Sequence, residues 1–172
     1  MNTLQTDLFS VICSIVQTKD FDRMYEDHTI RYGLLNYIAK YSLAKETYFA
    51  TEASLEHLLK NKFLKDGKLR RGTKSQKNKF TYEHPIPSNE IGREIVKNRH
   101  DLAQIAKILD WSDKVTILTA DENDMFSLFR LTKKMPDGWK FFSDNQFSRY
   151  YVCGICSIDP TLEITMTGQI VR

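Results

Sequence analysis

A histidine, a carboxylate and a more distant amide are the side chains of this sequence whose types best suit hydrolytic chemistry. Glu83 and His84 stand together in TYEHPIPSNEIG, residues 81–92, and Asn123 follows in TADEN. A neutral imidazole can take a proton from water near neutral pH, and amide and carboxylate oxygens suit a hard divalent cation. Arranged around one metal ion, such groups would hydrolyse a phosphodiester, because the cation stabilises charge on the phosphate and the leaving oxygen.

The segments around these residues predict two strands and a helix. KFTYEH alternates apolar and polar residues and predicts a short strand that ends at His84, because the two prolines that follow cannot continue a ladder. KVTILT, residues 114–119, is rich in branched residues and predicts a second strand. TADE, residues 119–122, predicts a capping box that starts a helix. A strand pair closed by this helix would hold His84 and Asn123 on opposite sides of one small cleft.

These motifs carry a family resemblance. YEHPIP resembles the first motif of HNH (His-Me finger, ββα-metal) nucleases, and is similar to the EHIxP form in the nuclease domain of modification-dependent type IV restriction enzymes. VTILTADEN resembles the second motif of that branch, and the match covers residues 81–134. The resemblance implies that His84 is the general base and that Glu83 and Asn123 bind Mg²⁺ or another divalent cation. It also implies that Lys133 or Lys134 contacts phosphate.

The same residues also admit a purely structural interpretation. His84 can end a strand with its ring bonded to a backbone carbonyl, and Asn123 is ordinary in the first turn of a helix. Two functions therefore stay open. The first is a metal-dependent endonuclease of nucleic acid, as in a phage, a mobile element or a compact restriction enzyme. The second is a non-catalytic protein, such as a phage-type inhibitor or a regulator, that binds a nucleic-acid enzyme or nucleic acid.

Positive charge is concentrated in one stretch, residues 60–79, which we call the basic segment. It contains nine Lys or Arg residues and one acid, Asp66. Such a run is either a solvated loop or a surface that contacts a phosphate backbone, and its place directly before the Glu-His pair favours nucleic-acid binding. The predicted contact residues are Lys68, Arg70, Arg71, Lys74, Lys77 and Lys79, together with Lys133 and Lys134.

Two other features have more than one interpretation. Residues 137–155 are dense in aromatic side chains, which would form core, a protein interface or a surface on which bases stack. Cys153 and Cys156 form a C-x-x-C pair within this stretch. They are predicted to lie on a strand, with half of a zinc site or a redox pair as the alternatives.

Hydrophobic periodicity predicts an α+β fold. Helical spacing of apolar residues indicates helices over about 3–18, 23–47 and 51–64, so the N-terminal half is predicted to be helical. One helix is predicted from Ser88 to Leu109, followed later by β structure in RYYVCGICSI and LEITMTGQIV. The predicted division is a helical region (1–64), a basic loop (65–80) and an α+β region (81–172), which together could form one continuous domain.

Composition limits the class of protein. The chain of 172 residues is 41% hydrophobic and 27% charged, as in ordinary globular domains, and it has no apolar run of membrane-spanning length. Its first residues lack a basic start, and its three cysteines are an odd number, so a cytoplasmic protein is expected. The net charge of +3 disfavours a DNA mimic. A homodimer, which would allow both strands to be cut, stays open.

Overall fold

The computed structural model describes residues 1–61, 64–65, 68–69, 80–156, 159–165 and 167–171. Its helices are α1 (Thr3–Val16), α2 (Phe21–Glu26), α3 (Arg31–Leu43), α4 (Glu52–Asn61), α5 (Ser88–Lys97), α6 (Leu102–Ser112), α7 (Ala120–Leu128) and α8 (Ser148–Val152). Its strands are β1 (Thr47–Ala50), β2 (Leu64–Lys65), β3 (Lys68–Leu69), β4 (Phe80–Glu83), β5 (Thr116–Thr119) and β6 (Leu162–Thr165). The predicted α+β fold class is confirmed.

A mixed sheet with strand order β4-β5-β1-β6 joins the two halves of the chain. β4 and β5 are antiparallel, with Glu83 opposite Thr116, whereas β1 is parallel to β5 and antiparallel to β6. Successive side chains of a strand point to opposite faces. Ile117 therefore packs on one face with Leu58 of α4, while Leu118 packs on the other with Phe126 of α7.

Helices α1, α3, α5 and α6 form a separate layer with its own apolar core. Its fully buried side chains include Ile12, Leu34, Ile38, Ile91 and Ile105. Each lies on the apolar stripe that a period of 3.6 residues produces. Helix α3 is central in this layer because it packs against both α1 and α5. Among the described residues, no helix has the length and apolar character needed to cross a membrane.

The local predictions for the second half are largely confirmed. The strand predicted in KFTYEH is β4, and the strand predicted in KVTILT is β5. The capping box is present, since Thr119 accepts from the backbone of Glu122 and the Glu122 side chain accepts from the backbone of Thr119. The strand predicted in LEITMTGQIV is confirmed for Leu162–Thr165.

Four element predictions are wrong. The single helix predicted over about 23–47 is two helices, α2 and α3, with residues 27–30 between them. The N-terminal half is not wholly helical, because residues 47–50 form β1, whose Tyr48 and Ala50 are buried in the sheet. The helix predicted from Ser88 to Leu109 is two helices, because the Asp101 side chain accepts the Gln104 N–H at 2.9 Å and starts α6. The β structure predicted in RYYVCGICSI is helix α8 over Ser148–Val152.

Candidate functional site

Strands β4 and β5 and helix α7 form the strand pair and helix that the sequence predicts around the candidate site. β4 and β5 pair antiparallel along their whole length, and α7 packs against both. The connection between the two strands contains helices α5 and α6. The backbone arrangement is therefore ββα-like, and the site depends on where the side chains of Glu83, His84 and Asn123 point.

The Glu83 carboxylate is ion-paired with the guanidinium of Arg149, a residue of α8 that is fully buried. The same guanidinium donates to the backbone carbonyl oxygens of His84, of Pro85 at 2.8 Å and of Leu131 at 3.0 Å. Its central carbon lies 4.1 Å from the centre of the Phe126 ring. Arg149 thus fastens the end of β4 to α8 and to the turn after α7.

Burial raises the pKa of the Glu83 carboxyl, and the neighbouring Arg149 guanidinium opposes that rise. The cause is desolvation, which disfavours a carboxylate that has left bulk water. The compensation comes from a charge-assisted hydrogen bond with Arg149. Glu83 is therefore bound within the fold by a cation that the chain itself supplies.

His84 is half-buried, and its Nε2 lies 3.3 Å from the carbonyl oxygen of Ala39 in α3. A carbonyl oxygen only accepts, so in this hydrogen bond Nε2 carries the proton. In that tautomer, Nδ1 is the basic nitrogen of the neutral ring. The bond to a backbone carbonyl is the one that the structural interpretation of the sequence expects.

Asn123 lies near the opposite end of the strand pair from His84. Phe80 pairs with Thr119 and Glu83 pairs with Thr116, so β5 enters α7 beside the start of β4, whereas His84 follows its end. Three residues of strand separate the two ends by about 10 Å of backbone. Asn123 is half-buried and is the fourth residue of α7.

Most residues that were predicted to contact phosphate fall outside the part of the chain that the structure describes. Arg70, Arg71, Lys74, Lys77 and Lys79 lie outside the described residues, as does the side chain of Lys68, whose backbone is in β3. Lys133 and Lys134 are both exposed in the turn after α7. The Lys134 ammonium pairs with Asp137 at 3.3 Å, a surface contact that is weak in water.

The predicted metal ligands do not fit a divalent cation in this arrangement. The Glu83 carboxylate already faces a guanidinium, which would repel a nearby metal ion. The strand register also places Asn123 towards the other end of the pair. Within the part of the chain that the structure describes, no group of three or more His, Cys, Asp or Glu side chains could hold a metal ion.

The cysteines differ from their sequence interpretation, and Arg149 was not among the predicted site residues. Cys153 and Cys156 follow α8 instead of lying on a strand, and neither forms a disulfide. Arg149 lies within the aromatic stretch of residues 137–155, and its buried guanidinium binds Glu83. Basic residues are almost never fully buried unless they are paired with an acid. Glu83, directly before His84, was the sequence feature that could have indicated such a partner for Arg149.

Comparison of the chain with protein-family models, with curated proteins and with solved structures found no match.

Proposed function

We propose that this protein binds nucleic acid through its basic segment and does not hydrolyse it. The observation that carries the proposal is the charge of residues 60–79, where nine cations accompany one acid. Closely spaced cations bind a phosphate backbone by releasing its condensed counterions, without requiring a particular base sequence. The described part of this segment contains β2 and β3, which pair antiparallel.

The site at the end of β4 supports binding over cleavage. Metal-dependent hydrolysis needs oxygen ligands that are available to a cation. The Glu83 carboxylate is instead engaged by Arg149, and Arg149 in turn bonds three backbone carbonyls. Glu83 and Arg149 together therefore serve as a structural pair, and the HNH-type endonuclease stays the competing hypothesis for a direct test.

Binding is tested by fluorescence anisotropy with labelled duplex DNA, single-stranded DNA and structured RNA over a series of salt concentrations. The variant combines Arg70→Gln, Arg71→Gln and Lys74→Gln. The control combines Lys19→Gln, Lys107→Gln and Lys140→Gln, three exposed lysines whose loss changes the net charge equally. For duplex DNA we expect the first variant to reduce the slope of log affinity against log salt by up to ~2.7, at ~0.9 for each lost phosphate contact. Equal effects of both variants would contradict the proposal.

Cleavage is tested with plasmid DNA and structured RNA, using the wild-type protein and His84→Ala with Mg²⁺, with Mn²⁺ and with EDTA. We expect intact substrate in every sample. Metal-dependent cutting that His84→Ala abolishes would overturn the proposal and establish the endonuclease. His84→Ala is also measured in the anisotropy assay, so that a loss of binding can be distinguished from a loss of catalysis.

A further inference from the structure

A pocket of about 730 Å³ opens beside the carboxyl end of β1. β1 and β5 are neighbouring parallel strands, so their carboxyl ends face the same edge of the sheet, and each leads directly into a helix, α4 or α7. This edge is where open sheets with parallel strands commonly bind ligands. The volume lies within the usual range of ~300–1,000 Å³ for small-molecule sites.

The wall of the pocket combines an apolar side with a few polar groups. Ile155, Pro160 and Leu162 supply apolar surface, and Tyr151, Cys156 and Asp159 supply polar atoms. This composition is typical of small-molecule sites, in which apolar area provides affinity and a few polar groups set orientation.

Acidic side chains decide the sign of charge that this pocket accepts. Glu52, Glu122 and Asp159 all line it. The start of α7 would attract an anion, but the Glu122 carboxylate already occupies that position, accepting the Thr119 backbone N–H at 2.8 Å. Asp159 accepts from Asn145 at 3.0 Å and from the Tyr151 hydroxyl, which fixes its carboxylate at the wall. An anionic ligand would meet several carboxylates at once.

We propose that this pocket binds a small organic cation, an amine or guanidinium compound with an apolar body. The carboxylates of Glu122 and Asp159 would neutralise the cationic head, and the Tyr151 ring would add a cation–π contact. The apolar body would lie on Ile155, Pro160 and Leu162. A bare metal ion is a poorer occupant, because the described His, Cys, Asp and Glu side chains include no metal-binding group.

Cys156 provides a reporter of the electrostatic field in the pocket. Its thiol is half-buried, whereas the other two cysteines are buried. Burial raises the pKa of the Cys156 thiol to about 11, and the negative charges of Asp159 and Glu122 contribute to the rise. Alkylation proceeds through the thiolate, so the rate at Cys156 measures these charges without any ligand.

The binding test uses three cations, tryptamine, agmatine and spermidine, with indole-3-propionate as an anion of similar shape to tryptamine. Each is titrated into ¹⁵N-labelled full-length protein while the amide signals of Gly154 and Ile155 are followed by NMR. We expect saturable shifts at these residues with at least one of the cations and none with indole-3-propionate. The proposal would be overturned if none of the three cations shifted these signals, or if indole-3-propionate shifted them equally.

The role of the Glu122 and Asp159 carboxylates is tested with the double variant Glu122→Gln and Asp159→Asn. The control is Asp124→Asn. Gln keeps the capping geometry, and Asp124 is exposed on the same helix outside the pocket wall. We expect the double variant to bind the responding cation about tenfold or more weakly and to alkylate faster at Cys156 at pH 8, with the control unchanged in both. If the double variant unfolds, each single variant is tested. Unchanged affinity and unchanged alkylation would contradict the proposal.

Discussion

Arg149 shows how one side chain can fix a site that looks catalytic in sequence. It is fully buried, yet its guanidinium finds acceptors on Glu83, His84, Pro85 and Leu131. Glu83 and Arg149 are 66 residues apart in the chain, so no local pattern reveals their pairing. The residue types before Pro85 predicted metal ligands, whereas the contact of Glu83 with Arg149 is that of a structural ion pair.

Replacing Arg149 should strongly destabilise the fold. Arg149→Met removes the partner of Glu83 and leaves three carbonyl groups without a donor. Breaking a buried ion pair from one side costs about 3–5 kcal/mol of unfolding free energy, which urea denaturation would measure. The control is Arg93→Met, since the Arg93–Glu90 pair is on the surface and its loss should cost less than about 1 kcal/mol.

The loss of unfolding free energy in Arg149→Met should depend on pH in a defined direction. Burial raises the pKa of Glu83 and Arg149 opposes this, so removing Arg149 raises it further. A carboxyl whose folded pKa is raised binds its proton more tightly when folded, so stability is lost as pH rises through that value. The deficit of Arg149→Met should therefore be larger at pH 7 than at pH 5. A deficit of equal size at both values would contradict this account of Glu83.

At the scale of single elements, local signals were reliable where a few neighbouring residues determine the structure. The capping box at Thr119 depends on side chains three residues apart, and the sequence predicted it correctly. The break at Asp101 also rests on a local cap, but it lies inside a continuous apolar pattern that favoured one helix. β1 is short, and the burial of Tyr48 and Ala50 comes from partners distant in sequence.

Two helical glycines provide a prediction about how closely elements pack. A Cβ added at Gly33 of α3 would meet no atom within 4 Å, whereas one at Gly92 of α5 would lie 2.7 Å from Leu35 Cδ2. Alanine in a helix is favoured over glycine by about 0.5–1 kcal/mol. We expect Gly33→Ala to raise the unfolding free energy by that amount. Gly92→Ala should gain less or lose stability, because Leu35 must move.

Urea denaturation of both single variants and the double variant would measure these effects. Gly33 serves as the control for helix propensity, since its environment is open. Equal stabilisation by both substitutions would mean that α3 and α5 do not approach as closely at Gly92 as the structure shows.

At the scale of the whole molecule, the strand order of the sheet could not be predicted from sequence patterns. Hydrophobic periodicity indicated the α+β class, because it reports on each element separately. Strand order depends on which surfaces fit together, and β1 lies between β5 and β6 although it belongs to the first third of the chain. The predicted division into residues 1–64 and 81–172 therefore passes through a continuous sheet.

The position of β1 predicts how fragments of the chain behave. Residues 81–172 alone would lack the central strand and expose the edges of β5 and β6, and residues 1–64 alone would leave Tyr48 and Ala50 without the strands that bury them. Unpaired, apolar strand edges favour aggregation over folding. We expect neither fragment to unfold cooperatively by itself and co-expression to restore a cooperative transition, as measured by circular dichroism during heating. Cooperative folding of either fragment alone would instead show that the predicted division is a domain boundary.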